Sequence, residues 1–160
     1  MAELKKELSE QLHLSDAVRE ILRIDESLLR VAEQLTKEAV GDMEAQKSAV
    51  AVICAMAAIE ARINYVLDDW LNSQGKNKDE IDELLYQWGI AKKVTEKLRE
   101  AKGKSLEDEK DLFERFKEMK RFREALMHHK GRNIPGERSQ KYAAACMNYA
   151  RAILSFIEGN

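Results

Sequence analysis

The chain has 160 residues, 44% hydrophobic and 35% charged, with a formal net charge of −2. That is apolar material for the core of one ordinary domain, and the even charge balance excludes broad, sequence-independent coating of nucleic acid. The longest uncharged apolar run, AVAVICAMAAI over 49–59, is too short for a bilayer, which takes about 20 apolar residues, and MAELKKELSEQL at the N-terminus has no apolar signal core, so a cytoplasmic protein with no membrane segment is expected.

One proline, seven glycines and a surplus of good helix formers predict an all-α chain. Residues 1–14 read as an N-terminal helical extension. Residues 15–160 read as a single-domain bundle of four long helices plus short ones. The first long helix runs from Ser15 as N-cap to Gly41 as stop. Val18, Ile21, Leu22, Leu28, Leu29, Val31 and Leu35 give it an imperfect apolar stripe. A long apolar helix is predicted over 43–72, ending in NSQGKNKD. Asp79 then caps a short helix to Trp88, and 90–101 forms another, stopped at Gly103. Ser105 opens a strong helix that reaches Gly131. After the break GRNIPGE the last helix covers 138–158, with Tyr142, Ala145, Cys146, Tyr149, Ile153 and Phe156 at core spacings. Cys54 and Cys146 both sit in apolar helical settings, where free thiols are expected.

Two helices break their own core pattern. Leu112, Phe116 and Met119 step by four and three, and the stripe then meets Arg123 before Leu126. Arg121 lies about 200° round the helix from Met119 and is expected to face water. In the apolar helix, Ile53, Met56 and Ala57 lead to Glu60 and Asn64, four apart and therefore on one face. A glutamate directly after eleven uncharged residues is expected to be partly buried and to need a partner, and arginine suits it best. A Glu60–Arg123 pair is open to two readings. It ties two helices together, or it belongs to a site.

Other polar and aromatic residues are read more plainly. Trp70 and Trp88 are expected to pack the bundle or its dimer face rather than stack bases. Tyr142, Met147 and Tyr149 are read as core or interface, and Asp68 and Asp69 as helix surface. His128 and His129 point about 100° apart on a helix, and His13 is distant in sequence. No metal site is therefore predicted. No P-loop, dinucleotide fingerprint, CxxC pair or HExxH occurs.

The string REALMH, 123–128, resembles the motif of HEPN domains: arginine, a polar residue, a short spacer and histidine near the end of the third long helix. AAIEARINYVLDDWL, 57–71, resembles the HEPN helix that carries an acidic residue and an asparagine, here Glu60 and Asn64. The order of helices is also similar, over residues 15–158. The family often has asparagine or aspartate after the arginine, where this chain has Glu124. His128 matches the family histidine better than His129, because Leu126 then falls at the family's aliphatic position.

The resemblance implies a metal-independent endoribonuclease with no cofactor. It would leave 2′,3′-cyclic phosphate ends and work in a toxin–antitoxin or phage-defence setting. It implies RNA as substrate, an antitoxin as partner, and a homodimer whose motifs face each other. It also implies an alternative, a non-catalytic dimerisation or protein-binding module such as the partner of a nucleotidyltransferase.

The residue types suit the reaction. A histidine can move the 2′-hydroxyl or leaving-group proton near neutrality, and an arginine can hold phosphate and offset its developing charge. On a straight helix Arg123 and His128 stand about 140° apart. They meet either through a distorted last turn or across a dimer axis, and the dimer is the favoured arrangement. Arg123 and His128 are therefore the catalytic candidates. Glu60, Asn64, Glu124 and His129 are supporting. Lys130 and Arg132 bind substrate or, alternatively, complement a helix C-terminus.

Overall fold

A computed structural model describes residues 23–127 and 139–159, and all the regular structure among them is helical. The helices are α1 (Ile24–Glu38), α2 (Glu44–Ser73), α3 (Lys78–Gln87), α4 (residues 90–102), α5 (Lys110–Met127) and α6 (Gln140–Glu158). The extension over 1–14, His13 and the N-cap Ser15 lie outside the described residues.

Helix α1 begins at Ile24 rather than running on from Ser15, because Arg23 has a non-helical backbone. Its buried face carries Asp25, Ala32 and Thr36, while Val31, read as part of the core stripe, is exposed. The helix is turned by an ion pair. Asp25 is fully buried, and the nearly buried Arg62 of α2 donates Nε–H to its Oδ2. Arg62 also meets Glu158 of α6, which Arg23 grips at 3.0 Å. Four charges thus tie α1, α2 and α6 together at one end of the bundle.

Helix α2 is the central element and packs against α1, α6, α5 and α3. Ala51, Val52, Ala55, Met56, Ile59, Ile63 and Leu67 are buried along it. Alanines at this spacing let neighbouring helices approach closely. With its leading turn, Gly41–Ser73 is long and apolar enough to cross a membrane by length and composition, and half of its most apolar window is buried in the fold. The eleven-residue run at 49–59 therefore understated the apolar length of this helix. Phe116, Met119 and Phe122 of α5 and Ile153 and Ile157 of α6 complete the core.

Capping corrects two boundaries. Helix α3 is capped by Asn77, not Asp79: the Asn77 side chain accepts from Glu80 N–H and the Glu80 carboxylate accepts from Asn77 N–H. The reciprocal bonds need the three-residue spacing that Asn77 and Glu80 have. Asn77→Ala is expected to cost about 1 kcal/mol of unfolding free energy, measurable by urea denaturation. Ser105 likewise does not start α5. It caps a single 3₁₀ turn, Leu106–Asp108, closed by Asp108, and α5 follows from Lys110.

Helix α4 contains a π segment, Lys93–Lys97, between its α-helical ends Ile90–Lys92 and Leu98–Lys102. It stops at Gly103, whose φ of 70° is left-handed. On α6 the buried residues are Ala143, Cys146, Met147, Ala150, Ile153, Leu154 and Ile157, and Ala145 is exposed, against the expected face. Cys146 is buried and Cys54 half-buried, both as free thiols, and burial pushes the Cys54 thiol up.

Candidate functional site

The three strongest sequence candidates within the described residues meet in one place. A cleft of about 620 Å³ opens between α2, α3 and α4, and Glu60, Asn64 and Arg123 all line it. Glu60, Asn64 and Asp68 follow one another at four-residue steps on α2, so they form a ladder along one wall. Arg123 reaches in from α5, where the apolar stripe of Phe116 and Met119 has fixed the helix face.

Arg123 Nη1 donates to Glu60 Oε2 at 3.2 Å. The other oxygen, Oε1, lies 4.0 Å from Nζ of Lys93 on α4. One carboxylate thus holds two cations. The Arg123 side chain is 26% exposed and that of Glu60 37%, so solvent reaches both. Lys93 is different, at 3% exposed. Burial pushes its ammonium below the ordinary 10.5, with Glu60 partly opposing the shift.

That shift has a consequence for stability. The unfolded chain binds the lysine proton more tightly than the folded one. Between the lowered value of Lys93 and 10.5, the folded state therefore gains stability as pH rises. Lys93→Met is expected to remove this alkaline gain, read as a flatter dependence of urea midpoints on pH.

Asn64 supplies a second unusual group. Its Oδ1 is buried and accepts no hydrogen bond among the described residues. Such an orphan typically costs about 1–3 kcal/mol. At the far end of the cleft, Lys78 bonds Asp82 at 2.6 Å and Asp68 at 3.4 Å. Burial pushes the Lys78 ammonium down, and the two carboxylates together more than reverse this, leaving it raised. Trp88 and Tyr65 also line the cleft, and Lys97 Nζ stands 4.7 Å from the Trp88 ring centre.

Sequence reasoning therefore missed three parts of this cleft. Asp68 was read as surface and Trp88 as packing. Trp88 does pack against the core, but it also walls the cleft. Lys93 was not singled out, although it lies three residues after Ile90 and beside Val94, both buried. Glu124 bonds Lys120 one turn back on its own helix. His128, His129, Lys130 and Arg132 lie outside the described residues.

Chemically, the Arg123–Lys93–Glu60 end carries one net positive charge and can attract phosphate. The Asp68–Asp82–Lys78 end carries one net negative charge. No family model, curated protein or solved structure matches the chain.

Proposed function

We propose that the chain is a metal-independent endoribonuclease of HEPN type, a homodimeric bundle of four long helices plus short ones that works in the cytoplasm. What supports this reading is one observation: Arg123, Glu60 and Asn64 line a single cleft with room for a phosphate group. In the reaction, Arg123 holds the scissile phosphate and offsets its charge. His128, from the same chain or its partner, takes the 2′-hydroxyl proton or protonates the leaving oxygen. The 2′-oxygen forms a bond to phosphorus as the bond to the 5′-oxygen breaks. The products are a 2′,3′-cyclic phosphate and a 5′-hydroxyl. A toxin or phage-defence role, restrained by an antitoxin, belongs to the same proposal.

One observation favours a second reading. Glu60 already engages both Arg123 and Lys93. On that reading the bundle is a non-catalytic dimerisation or protein-binding module, for example the partner of a nucleotidyltransferase, and the pair is structural.

The test is cleavage of a labelled mixed-sequence RNA in EDTA, beside an Arg123→Ala, His128→Ala double variant. Cleavage by the wild type alone, with cyclic phosphate ends, is expected. Equal cleavage by both proteins would move the activity away from this motif. No cleavage of several RNAs by a folded dimer would overturn the ribonuclease reading in favour of the second.

A further inference from the structure

The cleft is polarised along its length. Arg123 and Lys93 stand at one end on Glu60. Asp68 and Asp82 stand at the other, sharing Lys78. On α2 the Asn64 amide and the Tyr65 ring come between Glu60 and Asp68, and Trp88 also lines the cleft. Glu60 and Asp68 are eight residues apart on α2, about 12 Å along its axis.

We infer that the cleft holds one ribonucleotide unit lengthwise, phosphate at Arg123 and Lys93 and base against Asp68, and that it selects bases carrying an amino group over uracil. The inference rests on the reading of the cleft as an RNA site and names the unit that site accepts. The order of groups along the α2 wall suits a nucleotide: the cations' anchor Glu60, then the Asn64 amide and the Tyr65 ring, then the hydrogen-bond acceptors of Asp68. The volume of about 620 Å³ lies in the range of small-molecule sites.

Selectivity follows from donor and acceptor chemistry. A carboxylate only accepts. Cytosine and adenine present an exocyclic amino donor, and guanine presents N–H and amino donors together. Uracil presents carbonyl oxygens where the cytosine amino group would be, and two acceptors face to face repel. Lys78 takes one Asp68 oxygen, Oδ2, and a carboxylate has a second to offer. Asp68 is the discriminating group rather than Asn64, because an amide can turn to present either oxygen or nitrogen. The same chemistry comes from a free nucleotide or from a nucleotide within RNA.

The test is calorimetric binding to full-length His128→Ala protein, so that binding is read without turnover. The probes are the four 5′-ribonucleoside monophosphates and tetraribonucleotides, either all uridine or with one cytidine. The expected result is that CMP, AMP and GMP bind about tenfold more tightly than UMP. Inorganic phosphate should compete with all of them. Asp68→Asn, which gives the site a donor, should shrink the gap between CMP and UMP to about threefold or less. Lys93→Met should weaken all four alike, and Lys93→Arg should restore them. A cytidine tetramer binding more tightly than CMP assigns the site to RNA, and equal binding assigns it to a free nucleotide. UMP binding as well as CMP would overturn the inference, as would an undiminished gap in folded Asp68→Asn protein or the absence of saturable binding by any probe. RNA cleavage without base preference would sink this inference and leave the ribonuclease reading intact. Selective nucleotide binding without cleavage would do the reverse.

Discussion

Arg62→Met is expected to lower the unfolding free energy by about 3–5 kcal/mol, the usual cost of stranding one partner of a buried ion pair. Asp25 is fully buried and the Arg62 side chain is 7% exposed. Once the guanidinium is gone, the described cation nearest Asp25 is Arg23, 3.9 Å from Oδ2. Asp25 Oδ1 already accepts no hydrogen bond among the described residues. The carboxylate would then keep its burial and lose its main partner. Methionine fills much of the arginine stem's volume, so the loss reports charge rather than a cavity. Adding Asp25→Asn should recover part of the loss, because the stranded charge disappears with it, and the double variant should fall short of the sum of the singles. Urea denaturation measures all three proteins. A loss under about 1 kcal/mol for Arg62→Met would mean that water already solvates the pair.

Arg123→Ala should behave in the opposite way. Its pair with Glu60 is solvent-accessible, with side chains 26% and 37% exposed. Accessible pairs are worth about 0–1 kcal/mol, so the variant should unfold within about 1 kcal/mol of the wild type. RNA cleavage should nevertheless fall at least about 100-fold, since a group that offsets transition-state charge typically carries that much of the rate. The two measurements must be made on one preparation. A large stability loss with no change in cleavage would make Arg123 a structural residue. The arginine whose loss unfolds the protein and the arginine whose loss silences it are thus predicted to be different residues.

Both Arg123 and Glu60 were legible because each interrupts a strong apolar stripe at three- and four-residue spacing. A charge in such a place has to find a partner. Lys93 obeys the same rule beside Ile90 and Val94. Its signal was diluted by Lys92 next to it and by a short helix with few apolar residues. Asp25 gave no signal, since it stands with Arg23 and Glu26 in a helix expected from Ser15, where charged residues ordinarily face water. Only its docking against Arg62 makes it a core residue. The buried faces of α1 and α6 were rotated for a related reason. Ala32, Ala143 and Ala150 carry much of the contact, and alanine contributes little to an apolar pattern dominated by leucine, valine and tyrosine. Asp68 and Trp88 became cleft residues only when α3 packed on α2, a tertiary event without a local signature. The all-α character, by contrast, is written in composition and punctuation, and the described residues bear it out.

The π segment of α4 makes the place of Lys93 a matter of counting. A π turn spends one residue more than an α turn on the same rise. Removing any one residue from 93–97 would let the helix close into regular α geometry. The buried flanking residues Ile90 and Leu98 could then keep their faces, and the rearrangement would fall on the residues of the turn itself, the Lys93 ammonium among them. The positive end of the cleft therefore depends on a length as much as on a side chain. A single codon lost from the gene could disarm it while leaving every charged residue outside that turn in place.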